Sequence, residues 1–140
     1  MLTEKDYCVY DTCVALNELG YKVPTSAYYM PKNSQLIFVI NQFRGGAAMD
    51  CFYSNNSLPK ECMASDFIDA PTMWEAQKWL REEKGINIFV MQITIEGSSM
   101  HRYASYIQLG DKIWLCRYYS LYEEALIDGI KASVKFLKEK

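Results

Sequence analysis

The most regular pattern of apolar and polar positions lies in the second half of the chain. Residues 86–95 are apolar except at three positions and rich in β-branched side chains, which favours a strand over a helix. Apolar residues fall on both faces at the start of this strand, so we expect both faces to be covered there. Two further alternating segments follow at residues 103–109 and 112–119, and Gly110-Asp111 between them is typical of a two-residue hairpin turn. The pattern predicts a three-stranded antiparallel meander.

Three helices are expected beside this sheet, and the first two have clear ends. Residues 4–19 have apolar side chains at three- to four-residue spacing, and Gly20 follows where a left-handed C-terminal cap is needed. Thr72 stands three residues before Glu75, the spacing of a capping box, and Gly85 ends the second helix. The apolar positions of the first helix are Val9, Cys13, Leu16 and Leu19.

The third helix is predicted to begin at Ser120 and to run to the end of the chain. Ser120 and Glu123 have the spacing of a second capping box. Acidic residues in its first half and lysines in its second half suit the helix dipole. Gly129 and Ser133 are small residues four positions apart, so we expect a neighbouring element to pack closely against the helix there.

Residues 22–69 form the least regular part of the sequence. Three prolines punctuate this stretch, and Gly and Asn pairs add turn signals. Residues 35–42 contain a continuous apolar run that predicts a buried strand, and residues 49–53 predict a short partner strand. The rest of the stretch is expected to be loop.

The order of these elements predicts the class of fold. One helix, an irregular β region, a second helix, three strands and a last helix imply an α+β fold. We expect an antiparallel sheet of three to four strands packed against two or three helices. A chain of 140 residues has the length of one domain, so we expect a single globular domain over residues 1–140.

Charge and cysteine content restrict the setting in which the protein works. The net charge of −2 gives no electrostatic reason to expect nucleic-acid or anionic-membrane binding. No apolar run approaches the length of about 20 residues that a membrane span needs. The five cysteines are odd in number and without close pairs, and the N-terminal segment lacks the features of a signal peptide. We therefore expect a reduced, cytoplasmic protein.

Two blocks of sequence are distinctive. Residues 70–86 read APTMWEAQKWLREEKGI, and residues 118–125 read YYSLYEEA. Together with an opening helix that ends in Leu19-Gly20-Tyr21, they resemble a group of uncharacterised small proteins encoded by phages and prophages of gut-dwelling anaerobic bacteria. The resemblance covers the first helix and residues 70–140, and it implies a mobile-element context and a cytoplasmic host. It implies no functional residue.

The residues that could carry chemistry form no complete motif. His101 is the one histidine, and no local signature places a cysteine beside it as a nucleophilic pair. Zinc sites need close Cys or His pairs, which this sequence lacks. Arg44 precedes Gly45-Gly46, but the lysine and hydroxyl residue of a phosphate-binding loop are missing. We expect no catalytic residue, metal or cofactor, and favour a protein that is not an enzyme.

Aromatic residues are the most unusual feature of the composition. The chain has 11 tyrosines and 3 tryptophans, and aromatic residues make up 14% of it. Consecutive strand residues point to opposite faces, so the rings of the meander cannot all face one core. Tyr and Trp are enriched at interfaces. We therefore predict an interaction module that binds a protein partner or forms a homo-oligomer, such as a dimer, through Tyr103, Tyr106, Trp114, Tyr118 and Tyr119.

Two alternatives remain open. A small-molecule-binding or enzymatic domain would have a pocket between the sheet and residues 22–69, in which Arg44 and His101 would be the candidate residues. Nucleic-acid binding would use the lysines of the last helix, and helix-dipole and solubility effects already explain them. Those lysines are Lys131, Lys135 and Lys138.

Overall fold

The fold combines helices with two antiparallel sheets, as seen in a computed structural model that describes residues 2–30, 34–38, 67–94, 97 and 101–139. Within these residues the helices are α1 (Tyr10–Glu18), α2 (Met73–Lys84) and α3 (Tyr122–Lys138). The strands are β1 (Ala27–Met30), β2 (Gln35–Phe38), β3 (Ile68–Asp69), β4 (Ile86–Thr94), β5 (His101–Leu109) and β6 (Lys112–Tyr119). The predicted α+β class is confirmed. Contacts divide the chain into two compact units, and the expected single domain over residues 1–140 stays a prediction.

The first unit, Met1–Thr72, contains a three-stranded antiparallel sheet in the order β2-β1-β3. The central strand β1 was expected to be loop, which is wrong. Its neighbouring rings Tyr28 and Tyr29 are both buried, so the strand lacks the alternation that sequence reasoning uses. Strand β3 has two residues, too few for any period to show.

Strand β2 confirms part of the strand predicted at residues 35–42. It spans Gln35–Phe38 and pairs with β1 from Ala27↔Phe38 to Met30↔Gln35. It is an outer strand of this sheet as far as the described residues go, and Leu36 and Ile37 are only half-buried, so the expectation of a buried strand is wrong at these two positions. Residues 39–42 and the partner strand predicted at 49–53 lie outside the described residues.

Helix α1 is shorter than the helix predicted over residues 4–19. A single 3₁₀ turn occupies Glu4–Asp6, and Tyr7 then pairs with Thr72 in a β-bridge. This bridge interrupts the helical pattern, so α1 begins only at Tyr10. Val9 becomes the residue before the helix and is exposed rather than part of the core.

The C-terminal end of α1 is formed as Gly20 predicts. Gly20 has a φ of 101°, and its N–H donates to the Asn17 carbonyl at 3.1 Å. The Tyr21 N–H donates to the Leu16 carbonyl at 3.0 Å. These two bonds make a Schellman motif, which folds the buried Tyr21 ring back towards the helix.

The second unit, Met73–Lys140, contains the predicted meander in the order β4-β5-β6. Leu109 pairs with Lys112, so Gly110-Asp111 forms the two-residue turn, with φ positive at Gly110 alone as in a type II′ turn. Strand β5 begins earlier than predicted, because His101 still pairs with Thr94.

The two helices of this unit differ in how they begin. Helix α2 starts at Met73, directly after Thr72, and Gly85 follows its last residue with a φ of 70°, as predicted. Helix α3 starts at Tyr122 after Leu121, with no side-chain capping bond, so the capping box of Ser120 and Glu123 is wrong. A box of Ser120 and Glu123 requires Ser120 to be the N-cap, whereas the N-cap is Leu121, one residue later, which has no hydroxyl group.

Helix α3 packs against the meander at the predicted small residues. A methyl group added at Gly129 would lie 2.7 Å from Cγ2 of Ile88 and 3.2 Å from Cβ of Ser105. The helix backbone therefore approaches β4 and β5 very closely, as expected from Gly129 and Ser133. Helix α2 packs against β4 and α3. The residues between these elements form the core of the unit.

Candidate functional site

One face of the meander points away from α3, and we call it the open face. Directly paired residues of antiparallel strands point to the same face of a sheet. Phe89 pairs with Tyr106, which pairs with Leu115, so one row crosses all three strands. A second row, formed by Met91, Ala104 and Tyr118, runs parallel to it. The open face consists of Phe89, Met91, Ala104, Tyr106, Ile113, Leu115 and Tyr118.

The side chains of the open face are large, apolar and accessible. Met91, Ile113, Leu115 and Tyr118 are each exposed by 50 to 57%, and Phe89 by 37%. The rings of Phe89 and Tyr106 stack with centroids 5.9 Å apart. The expectation that both faces are covered at the start of β4 is wrong, because Ile86 and Ile88 are buried while Phe89 is exposed.

A β-bulge in β6 determines which residues reach the open face. Leu115 pairs with Tyr106 and Tyr118 pairs with Ala104, so β6 advances three residues where β5 advances two. A regular strand would place Arg117 on the same face as Leu115. The extra residue places Tyr118 there instead. The bulge therefore exchanges a charged residue for an aromatic one on this face.

The structure divides the predicted interaction surface between the two faces of the sheet. Tyr106 and Tyr118 belong to the open face. Tyr119 pairs with Tyr103 on the opposite face, where the Tyr103 ring lies 6.1 Å from that of Tyr122. Trp114 also lies on the side of α3, with its ring 5.3 Å from that of Phe136.

Sequence reasoning missed five members of the open face: the buried Ala104 and the accessible Phe89, Met91, Ile113 and Leu115. The alternation along β4 and β6 was the signal that could have found them. The alternation shows which residues share a face of the sheet. To identify the exposed face, one must also know which side of the sheet the helices cover. That knowledge comes from tertiary packing and is not visible in any one segment.

The buried cysteines of the first unit have a structural environment. Cys8 and Cys13 are buried, and the Cys13 thiol donates to the Cys8 carbonyl at 3.4 Å. Hydrogen bonding with Cys8, and then burial, raise the pKa of Cys13. The Tyr29 hydroxyl donates to the same carbonyl at 2.8 Å, and burial raises the pKa of Tyr29 to about 12. A thiol held in its neutral form is a poor nucleophile.

The other predicted site residues are placed only in part. Arg44 lies outside the described residues, and of His101 the structure describes the backbone, which begins β5. The pocket predicted around them stays a prediction. Within the described part of the chain, no three His, Cys, Asp or Glu side chains gather into a possible metal site. Lys131, Lys135 and Lys138 are exposed along α3.

No protein-family model, curated protein or solved structure matches this chain. The resemblance to phage- and prophage-encoded proteins therefore stays a prediction. Among the helices that the structure describes, none combines the length and apolar character needed to cross a bilayer.

Proposed function

We propose that this protein is an interaction module that associates with protein through the open face of the meander. The observation that carries the proposal is the exposure of Phe89, Met91, Ile113, Leu115 and Tyr118, at 37 to 57% each, on one face of one sheet. With full side-chain areas of about 150–250 Å² for rings, such exposure leaves on the order of 500 Å² of apolar surface. Patches of this size are often functional.

A second copy of the chain is the partner that the open face fits best. The central rows of the face, with Phe89 and Met91 in β4, carry no charge, so their chemical complement is another uncharged apolar surface. Gln108 and Arg102 lie at its two ends and supply a polar rim. Interfaces of standard size bury about 800 Å² on each partner, of which this patch supplies the larger share. Two meanders stacked face to face about a two-fold axis would cover both patches at once.

The setting proposed with this function is a reduced cytoplasm in a cell that carries the mobile element. The described cysteines Cys8, Cys13 and Cys116 are all free thiols, which supports a reducing compartment. Dimerisation requires no cofactor, and all of the proposed contacts come from the second unit.

Leu115 and Leu121 allow a matched test of the open face. Leu115 is 51% exposed on this face, and Leu121 is 55% exposed just before α3. Leu115→Glu is expected to raise the dimer dissociation constant about a hundredfold or more, because two carboxylates would be buried in each dimer. Leu121→Glu is expected to leave it unchanged. Sedimentation equilibrium between about 1 and 100 μM measures both constants.

Folding of the two variants is compared by circular dichroism and urea unfolding, which should give cooperative transitions in each. A wild-type chain that stays monomeric throughout this range contradicts the proposed dimer. Equal effects of the two substitutions would also reject the open face as the interface.

A further inference from the structure

A groove lies on the other side of the sheet, between β6 and α3, with a volume of about 470 Å³. Helix α3 contributes Asp128, Ala132 and Phe136, which are four residues apart and so form one stripe on the helix. The two strands contribute the facing wall. The residues that line it from β5 and β6 are Ile107, Trp114, Leu115, Cys116 and Arg117.

The small side chain of Ala132 explains why space remains there. Because Gly129 has no side chain, α3 packs closely against β4 and β5, the two strands away from the β6 edge. Along the edge at β6, the Ala132 methyl group stands between two longer side chains and fills little of the gap. Trp114 and Phe136, with ring centroids 5.3 Å apart, form an apolar end to this groove.

Asp128 gives the groove a negatively charged end. Its carboxylate is half-buried and interacts with the Tyr119 hydroxyl. Partial burial, and then the neighbouring Asp128, raise the pKa of Tyr119. A second hollow of about 180 Å³ adjoins Asp128 and adds Glu124 and Lys131. The groove therefore runs from an aromatic end to a carboxylate.

The sign of charge that the groove accepts follows from burial. Arg117 also lines the groove, but its side chain is exposed and stays hydrated. The half-buried Asp128 has lost part of its water and gains more from an opposite charge, because the effective dielectric constant is lower there. A ligand cation is favoured over a ligand anion for this reason.

We infer that this groove binds a small amphiphilic organic cation, with its amine against Asp128 and its apolar body against Trp114 and Phe136. Sites for such ligands have volumes of about 300–1,000 Å³ and apolar walls with a few polar groups. The aromatic rings can also contribute cation–π attraction. The inference does not require the proposed dimer: Leu115 borders both surfaces, but the groups that would contact the ligand, Asp128, Trp114 and Phe136, lie on the side of the sheet that α3 covers.

Three probes of equal size and different charge test the inference: phenethylamine, 2-phenylethanol and phenylacetate. The protein is titrated with each one while the Trp114 indole N–H resonance is followed by NMR. Phenethylamine is expected to bind in the millimolar range or tighter, and about tenfold more tightly than phenylacetate. Asp128→Asn is expected to abolish this preference, while Arg117→Gln, the matched control at the rim, leaves it in place.

Ala132→Leu should fill the groove and remove binding of all three probes, with the helix content unchanged. The inference is overturned if phenylacetate binds as tightly as phenethylamine, or if Asp128→Asn binds the amine as well as the wild-type chain does. It also fails if the Trp114 resonance does not move with any probe up to about 10 mM. Because dimerisation is measured separately by sedimentation, failure here does not reject the open face.

Discussion

Ionisation of the Tyr29 hydroxyl group is expected to make the stability of the folded protein depend on pH. Burial raises its pKa to about 12 in the folded protein, whereas a tyrosine of an unfolded chain ionises near 10. The folded state therefore favours the neutral hydroxyl, which donates to the Cys8 carbonyl. This stabilisation is fully present below about pH 10 and is lost as the pH rises towards 12.

We predict that Tyr29→Phe lowers the free energy of unfolding by about 1 kcal/mol at pH 7, because the Cys8 carbonyl loses the shorter of its two side-chain hydrogen bonds and keeps the weaker one from the Cys13 thiol. The difference between the two proteins should stay constant up to about pH 10 and shrink above it, since only the wild-type chain ionises at this position. Urea unfolding between about pH 7 and 11 measures this difference. A difference that does not change above pH 10 contradicts the assignment.

Replacing Gly129 by alanine is expected to destabilise the protein, although alanine usually stabilises a helix more than glycine does. Gly129→Ala gains about 1 kcal/mol of helix propensity, but its methyl group would meet Ile88 at 2.7 Å. Overpacking of this kind costs about 1–3 kcal/mol, so we predict net destabilisation in urea unfolding. In an Ile88→Ala background, where the closest methyl group is gone and the 3.2 Å approach to Ser105 remains, the same substitution should be clearly less destabilising. A stabilising effect in the wild-type background would show that the helix can move aside.

Single residues also show how much of the structure could be predicted from the sequence. The close approach at Gly129 was predictable, because small residues four apart report on one side of a helix. The exchange of Arg117 for Tyr118 on the open face was not predictable. A bulge has no periodic signature, and it reverses the face of every residue that follows it.

Among the elements, helix α2 is attached to strand β4 by one side-chain hydrogen bond. The Gln77 side-chain amide donates to the Ile88 carbonyl at 2.7 Å. We predict that Gln77→Ala lowers the free energy of unfolding by about 1 kcal/mol, because this carbonyl loses its side-chain donor. The neighbouring Lys78 is exposed, so Lys78→Ala is a control that should stay within about 0.5 kcal/mol of wild type. Equal losses in both variants would refute the role of the hydrogen bond.

At this scale, long elements were predictable and short ones were not. The meander and α2 have enough residues for alternation, turn chemistry and capping to agree. Strands β1 and β3 have four and two residues, and their pairing depends on partners distant in sequence. The start of α3 was misplaced because Ser120 carries the capping signal, whereas the observed N-cap, Leu121, has no side chain that could cap the helix.

For the whole molecule, the proposed dimer would couple oligomeric state to concentration. An interface whose central rows carry no charge should depend little on ionic strength, because few charges are screened when it forms. The proposed dimer should therefore be governed by mass action and apolar area, which is the reason that a carboxylate at Leu115 is its sharpest test. Composition predicted an aromatic interaction surface, whereas its position required the arrangement of all three strands.

The bulge in β6 also bears on what kind of assembly this chain can enter. Among the described residues β4 and β6 are the outer strands of their sheet, and unprotected edges invite further strands to join without limit. The bulge disrupts the ladder along one edge, and Gln77 occupies a carbonyl of the strand at the other. Growth by strand addition is thus discouraged. Stacking of two open faces, in contrast, would bury the apolar surface that drives the stacking, so that no further copy could add to it. The proposed assembly is therefore a closed pair rather than a fibre, and crowding would raise the number of pairs without lengthening any of them.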